Sequence, residues 1–184
     1  QKKKKMTAKK IIITGGLGYI GTELCKLYSG VSWHHKIIVI DNRFISERVN
    51  QIRNWNMEFI QGDILDKKLI EKSCSDADVV HHLAGVTQVP RTKSEANEIQ
   101  DKKIIEVGEK GTQNVLDAIS KKCKIIFPST HVVYEGINEV KTDIKEDFAT
   151  KPILSYSSSK AVNENQLKKS GKNYIILRLG SVYG

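Results

Sequence analysis

Lys9-Lys10-Ile11-Ile12-Ile13-Thr14-Gly15-Gly16-Leu17-Gly18-Tyr19-Ile20-Gly21 decides the fold of this 184-residue chain. Its apolar, β-branched start reads as a short buried strand, 9–14, and the glycines after it open a helix expected over 18–29. Gly15 suits a tight turn off the strand, Gly18 a close backbone approach to a pyrophosphate, and Gly21 close packing of the helix on the sheet. The helix start supplies free N–H groups and a partial positive charge to the same anion. Tyr19 and Ile20 lie within this loop and are counted among the cofactor-binding candidates.

Outward from this stretch, short apolar runs alternate with longer amphipathic ones. Strands are expected at 36–41, 57–62, 77–84, 124–129 and 173–179, and helices at 66–74, 99–122 and 154–169, with Asp66 as an N-cap. This alternation predicts an α/β, Rossmann-type doubly wound parallel sheet with helices on both faces. The charged, non-periodic stretch 135–152 reads as a surface loop.

Asp41 ends the second strand about 20 residues after Gly21, where a carboxylate accepts hydrogen bonds from an adenosine ribose and repels a 2′-phosphate. This favours NAD over NADP. Arg43 pulls the other way, since a guanidinium can hold a 2′-phosphate. Asp63, after Gly62, is a candidate for the adenine amino group, with Ile64 against the ring.

Composition narrows the function classes. The net charge of +9 falls to +5 without Lys2 to Lys5, and the other lysines are spread along the chain. The balance suits a polyanionic ligand, but no aromatic-basic interleaving points to nucleic acid. No apolar run is long enough for a membrane span. Cys25, Cys74 and Cys123 lack metal-ligand spacing, so no metal is expected, and they read as reduced thiols of a cytoplasmic protein. Residues 1–6 read as a tag or disordered basic tail, and 7–184 as the dinucleotide-binding domain with catalytic residues.

The catalytic candidates come late in the chain. Tyr156 and Lys160 share a face of the helix expected at 154–169. An ammonium one turn away, together with a positive nicotinamide, favours the phenolate, so that Tyr156 can exchange a proton with a carbinol. Thr130 follows Pro128-Ser129 at the end of the fifth strand, facing the crevice where such sheets bind ligands.

Taken with Asp41-Asn42, His82-Leu83-Ala84-Gly85, Val133-Tyr134 and the run Leu177-Arg178-Leu179-Gly180-Ser181-Val182-Tyr183-Gly184, these motifs resemble the extended short-chain dehydrogenase/reductase family, specifically its NAD-dependent sugar-nucleotide epimerases and dehydratases. The resemblance covers residues 7–184. It implies a tightly held NAD contacted by Asn42, Leu83, Ala84 and Gly85 besides the residues above, with Tyr156 as base, Lys160 as its partner and Thr130 as hydroxyl orienter. It matches 86–92, containing Gln88-Val89-Pro90-Arg91, to a loop near the nicotinamide and substrate, and Glu164 also fits. It further implies a nucleotide-sugar substrate such as a UDP-sugar, a homodimer paired through the helices at 99–122 and 154–169, and a C-terminal substrate-binding part absent from this chain. Gly85, Gly108 and Glu135 depart from the pattern. The family usually has Ala at the first, often Asn at the second, and Val-Tyr-Gly where Val133-Tyr134-Glu135-Gly136 stands, which predicts a changed turn after Tyr134.

The shared first step in that family would be oxidation of a sugar hydroxyl to a 4-keto sugar. The 4,6-dehydratases carry Asp-Glu after the threonine, whereas this chain has His131-Val132. The expected activity is therefore a 4-epimerase acting through a transient 4-keto intermediate. A dehydratase, decarboxylase or reductase of the same family is the alternative, and a non-catalytic NAD-binding protein a more distant one.

Overall fold

The computed structural model describes residues 7–86, 92–95, 97–139 and 141–183. The tail at 1–6 and most of the loop matched at 86–92, namely 87–91, lie outside these residues. Six parallel strands form one sheet in the order β3-β2-β1-β4-β5-β6. They are β1 (Lys10–Thr14), β2 (Lys36–Asp41), β3 (Glu58–Gln61), β4 (Val79–His82), β5 (Lys124–Thr130) and β6 (Asn173–Leu179). The order reverses between β1 and β4, and a doubly wound sheet opens its ligand crevice at such a switch point, beyond the C-terminal strand ends. The expected sheet is therefore present.

The helices are α1 (Tyr19–Tyr28), α2 (Ser46–Asn54), α3 (Lys67–Cys74), α4 (Glu98–Ile105), α5 (Gly111–Ala118) and α6 (Ser155–Lys169). They cover both faces and leave two apolar layers. One centres on Ile12, Ile38, Ile40, Val80, Ile125 and Phe127 against α3, α5 and α6; the other on Ile11, Ile13, Ile37 and Val39 against α1 and α2. Successive strand residues point to opposite faces, which is why the isoleucine runs divide between both layers.

Local chemistry sets the helix ends. Asp66 caps α3 by accepting from Leu69 N at 3.1 Å, as its sequence position predicts. The helix expected over 99–122 is instead α4 and α5, joined by a five-residue π turn, Glu106–Lys110. It stops at Ala118, because Ile119 turns to an extended backbone and buries its side chain. α2 was not legible: only Val49 and Ile52 of its nine residues are buried, too few to show a helical period.

Candidate active site

The glycine turn is fixed by the backbone around it. Gly15 has φ +69°, and a Cβ there would lie 2.7 Å from the Ala84 backbone. Its N–H donates to Ile40 O at 2.7 Å, joining the turn to β2. At Gly21 a Cβ would come within 2.6 Å of Gly15 O and Gly16 Cα, so α1 packs directly on the turn. Gly15 thus makes the expected tight turn, Gly21 meets the turn itself, and Gly18 lies at the helix start as its N-cap.

A cavity of about 330 Å³ opens over this turn. Among the expected cofactor contacts it is lined by Gly15, Gly18, Asp41, Asn42, Asp63, Ile64, Leu83, Ala84 and Gly85. The fold thus brings these nine residues from four strand ends to one crevice. Tyr19, Ile20 and Gly21 lie beside it on α1, where Tyr19 and Ile20 are exposed and Gly21 is buried under the turn. Lys103 and Val107, one helical turn apart at the end of α4 and in the π turn, also line the crevice. Neither was legible, because no motif marks them.

Asp41 is buried and already engaged. Its Oδ2 accepts from Leu17 N at 3.0 Å, and its Oδ1 accepts from Arg43 N at 3.0 Å and Arg43 Nε at 3.2 Å. Arg43 therefore folds back onto the carboxylate at the mouth of the crevice, reaching Oδ2 with Nη2 at 3.4 Å. Arg48, on α2, donates to Leu17 O and steadies the same loop. Asn42 Nδ2 donates to Asp63 Oδ2 at 3.1 Å, linking the ends of β2 and β3.

Below the turn, buried His82 lies 2.8 Å from Thr14 Oγ1 through Nδ1 and 3.1 Å from Thr112 Oγ1 through Nε2. Burial, with the Lys160 charge second, pushes its pKa down to about 3, so the ring is neutral. It joins β1, β4 and α5 beneath the crevice.

Thr130 ends β5 half-buried, and its Oγ1 accepts from Val132 N at 3.3 Å, starting a 3₁₀ turn at His131–Tyr134. The hydroxyl proton is left to donate elsewhere. Tyr156 and Lys160 both sit on α6, with Lys160 Nζ 5.8 Å from the Tyr156 ring centre and 4.5 Å from that of Phe127. Lys160 Nζ donates to Pro128 O at 3.2 Å, two residues before Thr130. The lysine thus connects the tyrosine helix to the end of the threonine strand.

Sequence reasoning put the ammonium first in setting the phenol's acidity; in the fold, burial comes first. It raises the Tyr156 pKa above the ordinary tyrosine value and lowers Lys160 to about 8. A low-dielectric pocket disfavours both charged forms. Within the protein alone, Tyr156 is therefore a neutral phenol beside a lysine whose ammonium is destabilised by burial.

The sequence lies in the NAD dependent epimerase/dehydratase family, which it matches over residues 11–184, and the chain belongs to that family. It is 33% identical to a putative UDP-glucose 4-epimerase of Methanocaldococcus jannaschii, over 95% of this chain and 56% of that one. It is 29% identical to a dTDP-D-glucose 4,6-dehydratase of Dictyostelium discoideum, over 95% of this chain and 44% of the relative. Among solved structures, the Bordetella bronchiseptica enzyme WbmG in complex with NAD superposes with a TM-score of 0.80 at 26% identity, covering 98% of this chain and 56% of WbmG. The chain spans about half the length of the curated relatives it matches.

Proposed function

We propose that this chain is the cofactor-binding and catalytic part of a NAD-dependent sugar-nucleotide 4-epimerase. The observation that carries the reading is Lys160, which lies by the Tyr156 ring and reaches Pro128 O two residues before Thr130, with His131-Val132 in place of a carboxylate pair after the threonine. Inverting a carbinol needs a hydride acceptor and one proton-transfer group; eliminating water across C5–C6 needs a further acid and base.

The glycine turn supports a dinucleotide in this crevice. Side chains are excluded at Gly15 and Gly21 by backbone contact, which keeps the turn open to a pyrophosphate. Asp41 and Asn42 would hold the adenosine ribose, Asp63 and Ile64 the adenine, and Leu83 to Gly85 the backbone wall towards the nicotinamide. When bound, the cofactor accepts and returns a hydride. Tyr156 takes the carbinol proton and gives it back, Lys160 stabilises the phenolate and holds the nicotinamide ribose, and Thr130 orients the substrate oxygen. Asp41 favours NAD; Arg43 beside it masks part of that preference.

The substrate in this reading is a nucleotide sugar, most simply a UDP-sugar. The uridine-linked enzymes among the relatives support this choice. A homodimer paired through the helices of 99–122, now α4 and α5, and α6 is part of the proposal, supported by the exposed Ile99, Ile105 and Val162. A cytoplasmic setting is supported by three buried, free cysteines, and no helix among the described residues is long and apolar enough to cross a membrane.

The test is mass spectrometry of ligand released from the full-length protein, then incubation with UDP-glucose and related nucleotide sugars followed by NMR. Inversion at C4 supports the reading. A 4-keto-6-deoxy product would establish the dehydratase alternative, which the Dictyostelium relative favours. Absence of bound NAD together with absence of NAD affinity would sink both.

A further inference from the structure

The departure at Glu135 is the strongest unassigned feature. α6 begins after Leu154, which has no side chain able to cap its free N–H groups. Glu135 instead ties down the helix entry from across the loop: Oε1 accepts from Ile153 N and from Leu154 N, the two residues before the first turn, each at 2.7 Å, and from the Ser157 hydroxyl within that turn. These bonds outweigh partial burial and hold the carboxyl below its usual range, so it stays charged at the positive end of the helix. The backbone closes the same junction. Gly136 N donates to Lys151 O and Lys151 N to Val133 O, both at 2.8 Å. A Cβ at Gly136 would lie 2.6 Å from Lys151 O, so the residue after Glu135 must stay small.

This clasp has a specific place. Glu135 directly follows the 3₁₀ turn that Thr130 starts, and the amides it holds immediately precede Ser155 and Tyr156. We propose that Glu135 is a positioning residue: its carboxylate anchors the entry of α6 through the Ile153 and Leu154 amides and the Ser157 hydroxyl, and so fixes the Tyr156 phenol relative to Thr130. The inference rests on the reading that these two residues act on substrate. It explains the changed turn physically, since moving the glycine one position along frees position 135 for a side chain that reaches the helix.

The experiment compares Glu135→Gln and Glu135→Ala in the full chain, each with a Tyr156→Phe counterpart. Subtracting the Tyr156→Phe ultraviolet titration isolates the Tyr156 phenol. In Glu135→Ala the first turn loosens, the phenol meets water, and its midpoint falls towards the ordinary tyrosine value. Glu135→Gln keeps an acceptor for the same amides and stays near wild type. Should the alanine variant not fold, Glu135→Asp, one methylene too short, takes its place with the same expectation. An unmoved midpoint in the folded alanine or aspartate variant overturns the proposal. So does an equal fall in the glutamine variant, which would mark a charge effect without positioning. With a nucleotide sugar that the wild type turns over, kcat falls roughly tenfold or more in Glu135→Ala while KM stays within about threefold. If the wild type turns over none, the proposed function falls, and the titration still decides the role of Glu135.

Discussion

Arg178 and Glu164 meet in a two-point contact, with Nε donating to Oε1 at 2.9 Å and Nη2 to Oε2 at 2.6 Å. The pair joins β6 to α6 directly behind the candidate site. Ser129, next to Thr130, adds a third donor to Oε1 at 2.7 Å, and the Arg178 guanidinium also donates to the Tyr134 hydroxyl. Burial opposes the Glu164 charge, yet the Arg178 and Ser129 bonds hold its carboxyl below the ordinary range, while Glu164 raises Arg178 in return. Four elements around the site thus share one buried ionic junction.

Removing Glu164 leaves the Arg178 guanidinium without a carboxylate partner, whereas Glu164 has a second cation in Lys168, 3.6 Å away. Glu164→Gln is expected to cost about 3 kcal/mol, as broken buried pairs do. Denaturant unfolding of the full chain measures it. A double variant, Glu164→Gln with Arg178→Met, should recover part of the loss; a single variant as stable as wild type would refute the junction's importance.

Tyr156→Phe removes the proposed proton-transfer group and little volume. Turnover of a nucleotide sugar should fall by roughly 10² to 10⁴-fold, the range for general acid–base groups. Bound NAD, read by mass spectrometry, should be retained. Loss of cofactor and turnover together would place Tyr156 in binding and not in proton transfer.

Gly15 and Gly30 make a matched pair. Gly15→Ala forces a side chain into a left-handed backbone and onto Ala84, so NAD binding should be lost or weakened by at least about tenfold. Gly30 has open space around it, and Gly30→Ala should leave affinity unchanged and stability equal or slightly higher. Calorimetric titration with NAD checks both.

Arg43 is half-exposed and leans on Asp41. Its removal leaves the Asp41 carboxylate facing any 2′-phosphate with less compensation. Arg43→Ala should therefore widen the preference for NAD over NADP by about tenfold, mostly by weakening NADP. Equal effects on both cofactors would show that Arg43 acts elsewhere on the dinucleotide.

His82 predicts an acid-sensitive limb of the stability curve. Its folded pKa of about 3 lies below the ordinary 6.5, so the unfolded chain binds the extra proton between these values. Stability should rise with pH through that window and be lost as pH falls through it. Thermal melts from pH 7 to pH 4 measure the slope, and His82→Asn should flatten it; an identical slope in the variant would remove His82 as its source.

The sequence made the sheet and the crevice legible because both rest on short-range patterns. A β-branched run ending in spaced glycines marks β1 and its turn, and an acid at the end of the next apolar run marks Asp41. Tyr156 and Lys160 were legible because one helical turn separates them. The balance between burial and charge at that pair was hidden, since it depends on how deeply Pro128 and Phe127 enclose the lysine. Glu135 was visible as an oddity, yet its partners lie 18 to 22 positions away, across a loop with no period. α2 escaped because two core-facing residues in nine do not make a stripe.

The π turn between α4 and α5 carries a mechanical consequence. An α-helix rotates by about 100° per residue, so the surplus residue in that turn sets the azimuth of everything before it. Deleting one residue between Glu106 and Lys110 would restore a regular helix and swing Lys103 away from the crevice it lines. The helix thus behaves like a key cut to one notch, which a change of length would misalign.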